Sequence, residues 1–168
     1  MKYSIHLKDK EINFDSGEDI SDYDLKSLLQ IDYSDIQNEI SYFPFILNQI
    51  NFILIESKNI LNDAKFQLDI INDNINNYKA RVYNEVRDEL IEQGQKNPTI
   101  TAIDTQISIK PELLQLKESL KIQQQKIAEL QNQCDYLSSL YWNAKCKAEI
   151  LVNLSKGLNV SEIIQNNV

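Results

Sequence analysis

Glycine and proline are scarce in this chain, with three of each among 168 residues. Sandwiches, barrels and nucleotide-binding folds place glycine at turns and in phosphate-binding loops, so this scarcity argues against all three. Long helices need few turns, and the composition therefore favours an all-α chain. With 42% apolar and 25% charged residues, the sequence has the composition of a folded protein rather than a disordered one.

Cysteine and histidine are almost as rare, which limits the chemistry open to the chain. The spacing of Cys134 and Cys146 on one predicted helix matches neither a disulfide framework nor a zinc motif. We expect two reduced cysteines of an intracellular protein. The single histidine, His6, has no nucleophile or metal-ligating partner at a meaningful spacing. We therefore predict no catalytic residue, no metal and no cofactor, and a protein that is not an enzyme.

Long apolar runs are missing as well. The most apolar window, residues 42–55, is short and contains Asn48, Gln49 and Asn51, so it is not expected to span a bilayer. The start of the chain leads into a charged segment and does not resemble a secretory signal. We expect a cytoplasmic protein with no membrane partner.

The net charge of −8 is unevenly distributed. Residues 1–45 carry ten acidic and four basic side chains, whereas residues 95–168 carry seven acidic and eight basic ones. The acidity therefore belongs largely to the N-terminal part. The rest is near neutral, which neither favours nor excludes a polyanionic partner, although a dedicated duplex-DNA binder is normally more basic.

We divide the chain into an acidic N-terminal appendage, residues 1–33, and a helical-hairpin domain, residues 34–168. Two alternating segments near the start, Tyr3–Leu7 and Glu11–Phe14, indicate a small β-hairpin. Because an isolated hairpin is marginal in water, it is expected to pack on another part of the protein. The acidic run over residues 15–24 is expected to be an exposed loop, and the alternative is an acidic contact surface for a basic partner.

The last long segment, residues 111–157, carries a heptad repeat. The two apolar heptad positions that start at Leu113 and Leu116 comprise 14 residues, of which only Gln123 and Ser155 are polar. A 3.5-residue period held over this length is typical of a coiled-coil helix, which must bury its apolar stripe against another helix.

A second long helix is predicted from Phe45 to Glu92, with Pro44 in its first turn and a short helix before it, capped by Ser34. Its apolar stripe advances by about 3.67 residues per step, the period of an 11-residue repeat. The stripe consists of Ile46, Ile50, Ile53, Ser57, Ile60, Ala64, Leu68, Ile71, Ile75, Tyr78, Val82, Val86 and Leu90.

The connector between the two long helices contains residues that typically end or begin a helix. Gly94 is predicted to cap the first long helix, and Thr99 to start a short helix over residues 100–109. Two long helices joined in this way form an antiparallel hairpin. The predicted fold class is therefore all-α: a long, coiled-coil-like antiparallel helical hairpin with short accessory helices and a small N-terminal appendage.

The two long helices have different periods, so one seam cannot stay in phase along their whole length. Apolar residues released from the seam need another surface. We expect Trp142 and Tyr136, which lie outside the strict heptad positions, to pack between subunits or on the N-terminal appendage.

Aromatic and basic residues alternate over Tyr78–Tyr83, with Arg87 one to two turns later. Single-stranded nucleic acid is bound by such combinations, because bases stack on rings while lysine and arginine contact phosphates. If the chain turns back about residue 102, Arg81 opposes residue 123, and Lys121 and Lys126 lie near it on the facing helix. An ordinary helix surface with Tyr78 in the seam accounts for the same pattern.

Three short segments resemble the UvsY-type recombination mediators of phages. Lys79-Ala80-Arg81 is similar to a Lys-Ala-Arg element of that family, and residues 98–103 are similar to its Pro-Thr turn and short helix. Residues 151–158, with a basic residue before a glycine, resemble its C-terminal end together with Ile163-Ile164. The resemblance covers about residues 35–165.

The resemblance implies a non-enzymatic protein that forms a ring-like homo-oligomer and binds single-stranded DNA. Members of the family help to load a recombinase onto DNA covered by single-strand DNA-binding protein, during phage DNA recombination and repair. It implies DNA contacts for Lys79 and Arg81, and for Lys156 before the glycine. Arg87 would add a phosphate contact and Tyr83 a stacking surface. For a phage protein the expected location is the cytoplasm of the host cell.

Two other interpretations remain open. A structural or assembly coiled-coil protein, such as a virion component or an adaptor, would use the same hairpin with no nucleic-acid role. A prefoldin-like chaperone shares the hairpin too, but it would expose apolar side chains at the helix tips.

Overall fold

The computed structural model describes residues 2–7, 11–15 and 20–165, with side chains as far as residue 157 apart from that of residue 22. The elements in chain order are β1 (Lys2–His6), β2 (Glu11–Asp15), α1 (Asp22–Leu29), α2 (Ile36–Glu92), α3 (Ile100–Ser108) and α4 (Pro111–Gln165). The predicted all-α helical hairpin with a small N-terminal strand pair is confirmed. Within the described residues, no helix combines the length and the apolar content needed to cross a membrane.

The chain folds as two compact units. Unit 1 comprises residues 1–60 and 129–168, and unit 2 comprises residues 61–128. Helices α2 and α4 each contribute a segment to both units. The strand pair and the first part of α2 thus belong to the same unit.

Strands β1 and β2 pair antiparallel, with Ile5 opposite Ile12 and Tyr3 opposite Phe14. Because side chains alternate along a strand, these four residues share one face, and all four are buried. The Tyr3 hydroxyl lies 2.8 Å from the Ser57 hydroxyl on α2. The strand pair therefore packs on another part of the protein, as predicted.

A second polar contact fixes the position of β1 on α2. The backbone N–H of His6 donates to Gln49 Oε1 at 2.9 Å, and Gln49 Nε2 donates back to the His6 carbonyl at 3.1 Å. The end of β1 thus has its backbone groups satisfied by a side chain rather than by a third strand.

Helix α1 begins within the acidic run that the sequence assigned to an exposed loop. Residues 16–19 of that run lie outside the described residues, but residues 22–24 form the first turn of α1. The Ser21 side chain accepts from the backbone N–H of Asp24 at 3.2 Å and caps the helix. The loop prediction is therefore wrong for these last residues.

Helix α2 runs unbroken through Pro44, which the sequence placed at a boundary between two helices. A proline inside a helix removes a backbone hydrogen bond and destabilises it by about 3 kcal/mol. Here Phe43 and Ile46, on either side, are buried in the unit 1 core, and their burial offsets that loss. Asp32, rather than the predicted Ser34, caps the 3-10 turn before α2 by accepting from the Ser34 N–H.

The core of unit 1 contains a buried lysine from α4. Lys147 is only 5% exposed, and its ammonium lies 2.7 Å from a carboxylate oxygen of Glu39. It also donates to the carbonyls of Leu28 at 3.1 Å and Gln30 at 2.8 Å. The ring of Phe43 lies 4.4 Å from the ammonium. One charge thus joins the end of α1 to α2 and α4.

Unit 2 is built where α2 ends and α4 begins, with α3 packed against both segments. Gly94 ends α2 with a φ of 97°, a conformation that favours glycine. The N–H of Gln95 donates to the Leu90 carbonyl and that of Gly94 to the Ile91 carbonyl, as in a Schellman cap. Thr99 caps α3 by accepting from the Ala102 N–H. Both predicted caps are confirmed.

The apolar stripes predicted on the two long helices are the buried faces of the structure. All the stripe positions of α2 are buried or half-buried, and so are the described heptad positions of α4. The seam of α4 is wider than predicted in unit 1, where Gln133, Leu140 and Lys147 are buried beside it.

The two aromatic residues outside the heptad seam behave differently from each other. The hydroxyl of Tyr136 accepts from the backbone N–H of Ile20 at 2.9 Å, so Tyr136 packs on the N-terminal segment as expected. Trp142 is 61% exposed and does not pack there.

Candidate nucleic-acid interface

Lys79, Tyr83 and Arg87 form one row along α2 in unit 2. They are spaced by four residues, so each lies about one turn from the next and advances by roughly 6 Å along the helix. Lys79 and Arg87 are exposed, and Tyr83 is half-buried against the unit 2 core. The row places a ring between two cations on a surface open to solvent.

Arg81 lies on the opposite flank of the helix from Lys79. Because an α-helix turns by about 100° per residue, the two side chains lie roughly 160° apart around the helix axis, although they are near neighbours in sequence. The Arg81 guanidinium lies 5.4 Å from the ring of Tyr78, which is buried. The structure therefore does not bring the two basic residues of the Lys-Ala-Arg segment together.

The Tyr78 hydroxyl donates to Glu112 Oε2 at 3.1 Å, and this bond marks the flank on which Arg81 lies. Burial of Tyr78 and its hydrogen bond to Glu112 raise the pKa of the phenol. The pKa of Glu112 is lowered by a hydrogen bond from its own backbone N–H and by the bond from Tyr78, with further help from Lys110 and Arg81. Arg81 thus acts as a counter-charge to Glu112.

Helix periodicity separates charges by sign near the end of α2. Three exposed acids, Glu85, Asp88 and Glu92, fall on the same flank as Arg81. The flank that carries Lys79 and Arg87 has no acidic residue of α2 between residues 76 and 91. An anion approaching this second flank therefore meets lysine and arginine without a neighbouring carboxylate from the same helix.

The predicted register between the long helices is wrong in unit 2. The sequence placed residue 123 opposite Arg81, but Gln123 Nε2 donates to the carbonyl of Ala64 at 2.7 Å. Together with the Tyr78–Glu112 bond, this contact means that the chain turns back at Gly94 and not at residue 102. The short helix α3 packs beside the long helices and does not lengthen either of them.

The corrected register moves Lys121 and Lys126 away from the row on α2. At 1.5 Å per residue, they lie about 18 and 25 Å from Lys79 along the axis. Both are exposed, but five residues of helix place them about 140° apart around α4. Lys156, also exposed, belongs to unit 1.

Two contacts at this end of unit 2 were not foreseen from the sequence. Glu112 bonds to Tyr78, and the Lys110 ammonium lies 3.2 Å from the carboxylate of Glu89. Both contacts join the start of α4 to α2. A turn of the chain at the Gly94 cap would have predicted the contact of Glu112 with Tyr78, because it places residues 110–112 opposite residues 76–78 of α2.

A cleft of about 440 Å³ in unit 1 has a different electrostatic character. Its lining includes the acids Asp32, Asp35 and Glu39, together with Lys147, which is bonded to Glu39 and to two backbone carbonyls. Hydrogen bonds from the Ser34 side chain and backbone N–H lower the pKa of Asp32, which favours its charged form. A polyanion is repelled by such a surface.

The described residues contain no group of three histidine, cysteine or acidic side chains that could hold a metal ion. Comparisons with protein-family models, with curated proteins and with solved structures gave no match to this chain. The similarity to UvsY-type mediators therefore rests on the sequence segments alone.

Proposed function

We propose that the protein is a non-enzymatic recombination mediator that binds single-stranded DNA and helps to load a recombinase onto it. The observation that carries the proposal is the row Lys79–Tyr83–Arg87, in which two exposed cations lie on either side of a half-buried ring, on a flank of α2 that has no acidic residue of that helix between residues 76 and 91. Phosphates would contact the cations, and a base would stack on the part of the Tyr83 ring that is open to solvent.

The remaining parts of the proposal follow from the resemblance. They are a homo-oligomeric state, a partner recombinase, DNA covered by single-strand DNA-binding protein, and action in the cytoplasm of a phage-infected host. Homo-oligomerisation would also compensate for the lack of net positive charge in unit 2, which has nine basic and ten acidic residues. Several subunits engaging one strand raise its overall affinity without any new contact.

The test is the salt dependence of binding to a labelled oligothymidylate of about 30 nucleotides, measured by fluorescence anisotropy. Each phosphate contact to a single strand adds about 0.7 to the slope of log K against log salt. We expect the double variant Lys79→Ala/Arg87→Ala to lose about 1.4 from that slope. Tyr83→Leu keeps an apolar group in the core and should weaken binding by fivefold or more with the slope unchanged, because stacking is worth about 1–3 kcal/mol per base.

Two matched variants separate this row from a general charge effect. Lys65→Ala/Lys96→Ala removes two exposed charges from the same unit and should change the slope less. Arg81→Ala, on the other flank, should also have a smaller effect. Absence of binding by the wild type at about 50 mM salt would refute the function, and equal slopes for the two double variants would refute the site.

A structural or assembly protein without a nucleic-acid role is the second candidate. The observation in its favour is the acidity of the chain, at −8 overall, with bases and acids nearly balanced in unit 2. A wild type that forms oligomers and ignores the oligonucleotide at low salt would support it.

A further inference from the structure

Helix α2 has a second apolar face in unit 1, opposite the one that forms the core. Phe45, Phe52 and Ile55 are 53%, 68% and 50% exposed. The buried residues Ile46 and Ile50 lie on the other side of the same turns. A helix that is apolar on two opposite faces normally has a neighbour on each, and among the described residues no element covers the second face.

The exposed face has the spacing of a coiled-coil seam. Phe45, Asn48, Phe52, Ile55 and Asn59 follow one another at intervals of three, four, three and four residues. All five are exposed, and none is charged. On a chain with a net charge of −8, this seam is a strip where two copies can approach without opposing carboxylates.

We propose that this seam, Phe45 to Asn59 on the outer face of α2, pairs antiparallel with the same seam of a second copy of the chain. In antiparallel coiled coils the two seam positions of one helix face the alternate positions of the other. One register then places Phe52 against Ile55 of the second copy and Asn48 against Asn59 of the second copy. The two-fold axis repeats both layers, so the apolar layers lie between two asparagine layers.

The asparagines are the reason to choose a second copy over an unrelated apolar partner or a lipid surface. An asparagine side chain buried in an apolar contact loses its hydrogen bonds to water, and it needs a polar partner there. The proposed register gives each Asn48 an Asn59 as that partner. A single buried asparagine at a seam position is a known determinant of pairing register.

The size of the face limits the contact to a weak, reversible dimer. Fully exposed aromatic side chains offer about 150–250 Å² each, so the three apolar residues leave roughly 300 Å² uncovered per copy. Polar residues flanking the seam add to this area. The sum is at the low end of specific interfaces, where association is transient and concentration-dependent. The inference rests on the homo-oligomeric part of the proposed function, to which it assigns a closed two-fold contact rather than a ring, and its test contains no nucleic acid.

The first measurement is sedimentation velocity of the full chain over a range of about 1 μM to 0.5 mM. We expect the wild type to convert from monomer to dimer within this range. Phe52→Glu should raise the dissociation constant by tenfold or more, because it places a carboxylate in each central layer. Trp142→Glu is the matched control, since it changes the same charge at an exposed aromatic residue of α4 in the same unit. Circular dichroism should show equal helix content in all three proteins.

The second measurement tests the orientation by cross-linking. In a Cys146→Ser background, the double variant Asn48→Cys/Asn59→Cys should form an intermolecular disulfide on mild oxidation. Neither single variant should do so, because equivalent residues are about 16 Å apart in the antiparallel register, beyond the span of a disulfide. A parallel pair would instead cross-link each single variant.

Three results would overturn the inference. They are a wild type that stays monomeric over the whole range, an oligomer that survives Phe52→Glu but is lost in Trp142→Glu, and cross-linking of Asn48→Cys alone. The last two leave the proposed function standing, since the protein still self-associates. Loss of oligonucleotide binding with an intact seam dimer would refute the DNA role and leave this inference standing.

Discussion

Replacement of Lys147 by methionine should destabilise unit 1 by about 3 kcal/mol. Removing one partner of a buried ion pair typically costs about 3–5 kcal/mol, because the other charge stays behind without compensation. Here the remaining carboxylate belongs to Glu39, whose side chain is 22% exposed, so water replaces part of the lost contact. The carbonyls of Leu28 and Gln30 lose their donor as well, at about 1 kcal/mol each. Methionine offsets some of this by packing its thioether on Phe43.

Equilibrium urea unfolding, followed by circular dichroism, measures the effect. With a slope of about 2 kcal/mol/M, a loss of 3 kcal/mol lowers the midpoint by roughly 1.5 M. Lys145→Met is the control, since Lys145 is exposed on α4 and its ammonium lies 5.3 Å from the centre of the Trp142 ring. Its expected cost is about 0.5–1 kcal/mol.

A local measurement separates this account from general destabilisation. Because Lys147 binds the carbonyls at the end of α1, the amides of Asp22–Leu29 should exchange faster with solvent in Lys147→Met before those of α3 do. The double variant Glu39→Gln/Lys147→Met should recover at least 1 kcal/mol, since it no longer leaves a bare carboxylate. A midpoint shift equal to that of Lys145→Met, with unchanged exchange in α1, would refute the argument.

Two further changes test the rest of the fold. The pKa of Glu112 is lowered in the folded state, so its contribution to stability is present above its ordinary value of 4.5 and is lost as the pH falls through the folded pKa. Glu112→Gln should therefore lower the urea midpoint at about pH 6, by an amount that shrinks as the pH falls below 4.5, and a constant difference would contradict this. Pro44→Ala should stabilise the protein by about 1–3 kcal/mol, because alanine restores the missing backbone N–H inside α2. A melting temperature lower than that of the wild type would contradict this account of the continuous helix.

Repeating patterns in the sequence were sufficient to predict which faces of the long helices are buried. The α2 stripe includes Ser57, a polar residue that the 11-residue period places inside and that is indeed 1% exposed. Its partner, the hydroxyl of Tyr3, lies 54 residues away in the chain, and no local pattern indicates it. The period of the apolar pattern determines which face of a helix is buried, whereas the residue that a buried side chain contacts depends on how distant segments pack.

For Lys147, the local sequence pattern says even less about the contacts that the side chain makes. A lysine in an amphipathic helix is expected at the solvent surface, and its carbonyl partners lie 117 and 119 residues earlier. The sequence could not indicate that the end of α1 would cover this position. The heptad pattern of α4 therefore predicted its seam but missed the charged residue that the N-terminal segment buries beside it.

For the candidate interface, part of the geometry could have been predicted from helix periodicity alone. Lys79 and Arg81 are two residues apart, and any helix places such residues on different flanks. Lys79 was grouped with Arg81 because they are close in sequence, and the row that Lys79 forms with Tyr83 and Arg87 was therefore not identified. The positions of Lys121 and Lys126 required the register of the hairpin, and that depends on the chain turning at Gly94 while α3 packs alongside.

The apolar window at residues 42–55 combines both faces of α2. The inner face, with Phe43, Ile46 and Ile50, packs in the core of unit 1, and the outer face repeats every 3.5 residues. A face in contact with lipid would be apolar throughout, but Asn48 interrupts the outer face at a seam position. Asn48 therefore argues both against a membrane span and for pairing with a surface that can form hydrogen bonds with an amide side chain. A copy of the same seam, which offers Asn59, meets that requirement.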